Sequence, residues 1–253
     1  MGDAVDAMIL AAGLGTRLRP LTEHTPKALV EVDGVPMLER IARRLVAAGA
    51  TRLIINVHHQ AGQIREFVAA RGDFGAEVVL SYEPDAPLET GGGLLHARPH
   101  FRGGAPFFLH NVDVICDADL GALYRQHADR DPLATLAVSD REASRVLRFD
   151  GDGLQARVDR RTGAEEPARP VRGTPREWAF AGIHVVSPRI FELLEEEGAF
   201  SIIGPYLRLA GLGHRIVPYD ISGALWLEVG DPDRLEHARR TLRRASAERN
   251  GTK

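Results

Sequence analysis

Runs with strand-like and helix-like spacing alternate through about the first 140 residues, and this alternation limits the possible folds sharply. Asp6 to Ala11 is a short apolar run that ends in the glycine-rich turn Ala12-Gly13-Leu14-Gly15-Thr16, as a buried strand does. Pro36 to Ala48 has helical spacing, with Leu38, Ile41, Leu45 and Val46 on one face, proline near its start and Gly49 after its end. The same alternation then predicts a strand at Leu53 to Val57 and a helix at Ala61 to Ala70, with Ile64, Phe67 and Val68 inward. A strand at Val78 to Tyr82, a short helix at Gly93 to Arg98 and a strand at Pro106 to Asn111 follow. Leu120 to His127 reads as a helix and Leu133 to Val138 as a strand. Strands joined through helices make right-handed crossovers, so the chain is predicted to be α/β, with a mainly parallel sheet covered on both faces. Such sheets bind ligands beyond the carboxyl ends of their strands, which singles out the loop after Ala11 and the segment after Leu109.

From Val146 to Arg176 the pattern breaks into short strands and polar loops rich in arginine and proline. Ala179 to Val186 reads as a strand, Pro188 to Glu195 and Ile202 to Leu209 as helices, and Arg215 to Pro218 and Leu225 to Val229 as strands. The last helix, from Pro232 to about Ser246, carries Leu235, Ala238 and Leu242 on one face and arginines on the other. Residues from about Glu248 to Lys253 are expected to fray.

A chain of 253 residues can bury a sizeable core. A net charge of −3 offers no general attraction to nucleic acid or to an anionic membrane, so neither is expected as a partner. Any anionic ligand must be held by local charge. Cys116 is the only cysteine, which rules out an intramolecular disulfide and suits a reducing, cytoplasmic location. The apolar run Ala7 to Ala12 is far too short to span a bilayer. Lys27 and Lys253 are the only lysines among 32 basic residues. A chain that uses arginine elsewhere keeps one internal lysine, in a loop rich in Gly, Pro and Thr. A solvated surface lysine is the plain reading; the sharper one is a site that needs a compact ammonium instead of a guanidinium fork.

The segment Leu10-Ala-Ala-Gly-Leu-Gly-Thr-Arg-Leu-Arg-Pro-Leu-Thr22 carries the strongest chemical signal. Two glycines after a strand let backbone N–H groups converge on an anion, and Arg17 and Arg19 add charged donors. A Walker loop is excluded, because no Gly-Lys-[Ser/Thr] follows at the required spacing. A dinucleotide fingerprint has Gly13-x-Gly15 and Asp33 in its favour, but Leu18 occupies the third glycine position, and Pro20 and Pro26 interrupt the helix it needs. Asn111-Val112-Asp113 ends an apolar strand. A carboxylate there, facing the glycine loop, suits Mg²⁺, and an aspartate capping the next turn is the alternative. His58-His59 lacks companions at the spacing of a zinc site and reads as a surface pair.

Residues 10–22, followed by Thr25-Pro26-Lys27-Ala28-Leu29, closely resemble the signature of the sugar-phosphate nucleotidyltransferase family. Within that family the chain resembles the small bacterial N-acetylmuramate 1-phosphate uridylyltransferases. The supporting features are its compact length, Leu88-Glu89-Thr90-Gly91-Gly92-Gly93 and Phe180-x-Gly182-Ile183. The resemblance implies a Rossmann-like three-layer nucleotidyltransferase fold with a mainly parallel mixed central sheet and a small sugar-binding subregion. A single domain is expected, with a nucleotide-binding part over about 1–140, a sugar-binding part over about 141–224 and a metal-ligand strand and helix over 225–253. It also implies a transferase that joins a nucleoside triphosphate to a sugar 1-phosphate, with UTP and N-acetylmuramate 1-phosphate as the expected pair. A guanylyl- or thymidylyltransferase for mannose, heptose or glucose 1-phosphate is the enzymatic alternative. A monomer or small homo-oligomer is expected.

The residue roles follow from the same resemblance. Asp113 would be one ligand of Mg²⁺, although Val112 stands where the family has glycine, adding stiffness and bulk near the sugar phosphate. Trp226-Leu-Glu-Val-Gly-Asp-Pro232 resembles the segment that brings the second ligand, with Glu228 in place of aspartate. These two departures keep open a catalytically impaired sensor that binds a nucleotide sugar. Arg17 and Lys27 would act on the phosphates. Leu10, Ala11, Ala12, Gly13, Gly15, Thr16, Glu89, Gly91 and Gly92 would bind the nucleotide, the glycines lying flat against base or ribose. Asn111 and Gly182 would meet the sugar.

Overall fold

A computed structural model describes the backbone of residues 4–250. In chain order the elements are β1 (Val5–Leu10), β2 (Glu31–Val32), β3 (Val35–Pro36), α1 (Met37–Ala47), β4 (Ala50–Val57), α2 (Ala61–Ala70), β5 (Glu77–Tyr82) and α3 (Glu89–His96). They continue as β6 (Phe107–Asn111), β7 (Val114–Cys116), α4 (Leu120–Arg130), β8 (Ala134–Ser139), β9 (Arg145–Asp150), β10 (Gly153–Asp159) and β11 (Ala164–Pro167). The remainder is β12 (Arg176–Val186), α5 (Ile190–Leu193), α6 (Ile203–Gly211), β13 (Ile216–Asp220), β14 (Trp226–Glu228) and α7 (Pro232–Asn250).

The amino-terminal half of the sheet is parallel, in the order β5-β4-β1-β6. β12 lies antiparallel beside β6, and β8 pairs antiparallel with the opposite edge of β12 and parallel with β13. The carboxyl ends of β1, β4, β5, β6, β8 and β13 therefore all reach the same edge of the sheet. The region from 146 to 176 is more regular than expected. The start of β12 turns away to pair with β9, and the antiparallel strands β9, β10 and β11 extend the sheet.

Alternation within the strands sorts side chains into two cores. Ala7, Ile9, Leu53 and Ile55 pack beneath α1 and α2, whereas Met8 and Ile54 join Leu94 of α3 and Leu207 and Leu209 of α6 on the opposite face. That is the three-layer arrangement: helices on both faces of one sheet. A third apolar cluster lies apart. Leu18, Val30, Val32, Met37 and Ile115 meet Leu227, Val229, Leu235, Ala238 and Leu242, so α7 packs against the segment that follows the glycine loop. The helix runs through Asn250, past the expected fraying point at Glu248, and residues 251–253 lie outside the described residues. Asp33, the acidic residue of the dinucleotide reading, stands with Gly34 in the turn between β2 and β3, both at positive φ (54° and 71°), the backbone of a tight hairpin turn. No helix among the described residues is long and apolar enough to cross a membrane.

Three histidines are buried with the sheet. Burial lowers His110 and His127 to about 4 and His184 to about 3 from an ordinary value of 6.5. Between these values the unfolded chain binds the protons and the folded chain does not, so stability falls as pH falls. Each histidine contributes a slope approaching about 1.4 kcal/mol per pH unit. Melting temperature, flat from pH 7 to 8, is therefore expected to drop steeply between pH 6 and 4, and His184→Phe should flatten that drop.

Candidate active site

A cleft of about 360 Å³ opens at the carboxyl edge of the parallel strands, lined from several loops by Leu10, Gly13, Lys27, Asn56, Glu89, Asn111 and Asp113 among others. Its central contact joins two segments far apart in sequence. Lys27 Nζ donates to Asp113 Oδ2 at 2.6 Å, with only 11% and 21% of the two side chains exposed. The lysine is thus held over the end of β6 and not free in solvent.

The two loop glycines do different work. Gly15 has φ 62°, and a Cβ there would lie 3.0 Å from both Lys27 Cβ and Thr22 Cγ2, so this turn needs glycine both for its conformation and for its contact with the lysine segment. Thr22 Oγ1 closes the turn by donating to Gly15 O at 2.8 Å. Gly13 faces open space in the cleft. Thr16 opens a single 3-10 turn that ends at Leu18, whose burial in the third apolar cluster explains why glycine is absent there.

A buried polar relay fixes the far wall. Ala11 N–H donates to Asn56 Oδ1 at 2.6 Å, Asn56 Nδ2 donates to Glu83 Oε1 at 2.7 Å, and Leu88 N–H donates to Glu83 Oε2 at 2.8 Å. Glu83 is fully buried. Loops following β1 and β5 are thereby tied to the end of β4. Neither Asn56 nor Glu83 was singled out in the sequence; the signal was one polar residue in the apolar run Leu53 to Val57 and a carboxylate just past β5.

The three glycines after Thr90 require a correction. They belong to α3, which starts at Glu89 and not at Gly93. Gly91 and Gly92 both donate N–H to Phe200 O. A Cβ on Gly91 would lie 2.3 Å from the Phe200 ring, and one on Gly92 would lie 2.2 Å from Gly198 O. Gly91 and Gly92 thus let α3 press against residues 198–200 and do not present bare backbone to the cleft. Gly93 makes room for Asn56 and Glu83, each 2.8 Å from where its Cβ would be. Glu89 does line the cleft, with its backbone at φ 59°. Such a conformation in a non-glycine residue is held by its surroundings and concentrates at functional sites.

Gly182 has φ 75° and marks a register shift in β12. A Cβ there would lie 2.9 Å from Asn111 Nδ2, so the bulge and Asn111 meet directly, and Asn111 Oδ1 is buried with no partner. Asp113 and Glu228 come from neighbouring backbone. Glu228 pairs with Val114 across β7 and β14, and Val229 N–H donates to Asp113 O at 2.8 Å. The Glu228 carboxylate is bound to Arg234 in the first turn of α7. Arg17 lies close by: a Cβ on Gly230 would be 3.2 Å from Arg17 Nη2 and 3.6 Å from Glu228 Oε1. No group of three or more His, Cys, Asp or Glu gathers around one point among the described residues. Mg²⁺ bound to phosphates keeps waters and needs only one or two carboxylates, so the donor chemistry of Asp113 with Glu228 fits it.

A lysine and an arginine near a glycine turn, with one carboxylate in the turn after β6 and another on β14, can hold a polyphosphate and screen its charge during transfer. Comparison with known proteins places the whole chain. Residues 6–245 match the family described as Nucleotidyl transferase. N-acetylmuramate alpha-1-phosphate uridylyltransferase of Caulobacter vibrioides is 35% identical over 238 residues, which cover 89% of this chain and 92% of that protein. The catalytic subunit beta of mannose-1-phosphate guanylyltransferase from Drosophila pseudoobscura is 31% identical over 237 residues, covering 92% of this chain and 61% of the longer relative. The structure of the inositol-1-phosphate CTP transferase from T. maritima superposes with a TM-score of 0.74 at 18% identity, over 92% of each chain, and so shares the fold. The chain belongs to the nucleotidyl transferase family and is a sugar-1-phosphate nucleotidyltransferase.

Proposed function

We propose that this chain transfers a uridylyl group from UTP to N-acetylmuramate 1-phosphate and releases pyrophosphate. The observation that carries this choice is the near end-to-end correspondence with a protein of that activity, where the guanylyltransferase match covers 61% of its relative. The acceptor phosphate is already anionic near neutral pH, so its oxygen attacks the α-phosphorus without a general base. One P–O bond forms, and the bond from the α-phosphorus to the bridging oxygen of pyrophosphate breaks. What opposes the reaction is crowded negative charge, and catalysis is positioning and electrostatic screening.

Lys27, held at Asp113, lies where its ammonium can turn to the phosphates. Arg17 and the backbone at Gly13 and Gly15 receive the leaving pyrophosphate. Leu10, Ala12 and Glu89 bound the nucleoside end of the cleft. Asp113 and Glu228 are the residues that would hold Mg²⁺, which when bound supplies Lewis-acid screening of the α-phosphate. Four triphosphates tested against N-acetylmuramate, N-acetylglucosamine, mannose and glucose 1-phosphates, with Mg²⁺ and pyrophosphate detection, decide the reading. UTP with N-acetylmuramate 1-phosphate should give the highest kcat/KM. A higher value for GTP or dTTP with a neutral hexose phosphate would replace it, and tight product binding without turnover in any combination would establish a sensor.

Glu228 makes a separate prediction. In Glu228→Ala the Mg²⁺ concentration for half-maximal turnover should rise on the order of 10–100-fold. Glu228→Asp, which shortens the arm but keeps the oxygens, should stay near the parent. Equal Mg²⁺ titrations for parent and Glu228→Ala would remove this residue from the metal site.

A further inference from the structure

The carboxyl edge of the sheet carries one more unusual side chain. Arg141 follows β8 by two residues, and β8 runs in the direction of β1 and β6, so Arg141 stands on the edge that carries Asn111 and Asp113. Its Cζ lies 3.7 Å from the centroid of the Trp226 ring, and its Nη2 donates to Phe180 O at 2.6 Å. Trp226 is fixed in turn, donating Nε1–H to Ala181 O at 2.9 Å. These contacts hold the guanidinium rigidly beside the Gly182 bulge.

The group is nonetheless incomplete. Its Nε is buried without an acceptor, and burial lowers its pKa from the ordinary arginine value, with the charge of Glu228 opposing. Glu228 itself is bound to Arg234, and Arg141 forms no salt bridge among the described residues. Against the same bulge, Asn111 Oδ1 is a buried acceptor with no donor. Buried polar atoms are almost always paired, so an unpaired donor and an unpaired acceptor near one bulge point to partners that a ligand would supply. A fixed guanidinium offers a planar fork, which suits a carboxylate better than a hydroxyl.

We propose that Arg141 selects, among sugar 1-phosphates, those whose ring carries a carboxylate. An acceptor with its phosphate toward Lys27 and Asp113 extends its ring past Asn111 to the Gly182 bulge, where such a substituent meets Arg141. This rests on the reading of the acceptor as N-acetylmuramate 1-phosphate, which differs from N-acetylglucosamine 1-phosphate by a carboxylate-bearing ether.

The test compares these two acceptors with UTP in the parent, Arg141→Lys and Arg141→Met, with titration calorimetry of each acceptor alongside the kinetics. Arg141→Met should raise KM and weaken binding for the carboxylate acceptor about 100-fold, while the neutral acceptor changes less than about threefold. Arg141→Lys should fall between, because it keeps the charge and loses the fork. Parallel losses for both acceptors, or a fall in kcat alone, would overturn the proposal and leave Arg141 with the phosphate or with packing on Trp226. Failure of the parent to use either acceptor would refute the substrate reading itself. An unchanged preference in Arg141→Met, with uridylyl transfer intact, would refute only the role of Arg141.

Discussion

Lys27→Ala should lower turnover by a factor on the order of 10²–10³, the usual loss when one donor to developing transition-state charge is removed. The fold should survive. Lys27 and Asp113 line the cleft and both retain some exposure, so the orphaned carboxylate can rehydrate. A stability loss of about 1 kcal/mol, or a few degrees in Tm, is expected. Lys27→Arg is the sharper comparison. Gly15 packs directly against Lys27 Cβ, so a broad guanidinium cannot simply follow the path of the lysine stem, and charge alone should restore little. Pyrophosphate release at the parent rate in Lys27→Ala would show that this loop does not act on phosphate. A collapse of the fold would show that its role is structural.

The relay from Ala11 to Leu88 supports the other large effect, this time on stability. Both oxygens of Glu83 accept hydrogen bonds, from Asn56 Nδ2 and Leu88 N. Glu83→Gln keeps the shape but puts an NH₂ against one of these donors in either orientation. Turning Asn56 over is no remedy, because its Oδ1 already accepts from Ala11 N. The single variant should lose about 1–3 kcal/mol, the cost of an unsatisfied buried donor, and bind triphosphate less well as the loops loosen. Asn56→Asp alone sets two buried carboxylates against each other and should cost more, about 3–5 kcal/mol. The double variant, Asn56→Asp with Glu83→Gln, exchanges the amide and the carboxylate. The introduced carboxylate then accepts from both Ala11 N and the introduced amide, whose own carbonyl oxygen accepts from Leu88 N, so every bond and the net charge return. Chemical denaturation of the four proteins measures the coupling directly, and additive losses would refute the relay.

Readability from sequence followed the distance between partners. The glycine turn, Lys27 and Asp113 announce themselves through local residue patterns, because each does its chemistry where the chain turns. The strand alternation likewise gave β1, α1 and α2 within a few residues. Asn56 and Glu83 did not stand out, because an asparagine and a glutamate 27 positions apart mean nothing until β4 and β5 lie side by side. The glycines of α3 were misread for the same reason. Their partner is Phe200, more than a hundred residues later, and no local pattern distinguishes a glycine needed for backbone packing from one needed for a ligand. β12 shows the limit for topology. It separates β6 from β8, so neighbours in sequence are not neighbours in the sheet. Arg141 was hidden among many arginines, and only its stacking on Trp226 and its missing partner set it apart.

The third apolar cluster joins the beginning of the chain to its end. Leu18, which follows the glycine turn, shares that cluster with Val229, Leu235 and Leu242. The glycine turn therefore takes its support from a helix that lies far along the chain from it. A polypeptide halted after β13 could assemble most of the sheet and both large cores, yet its cradle would have no floor. On the proposed reading, such a fragment is expected to bind triphosphate weakly even where its sheet forms.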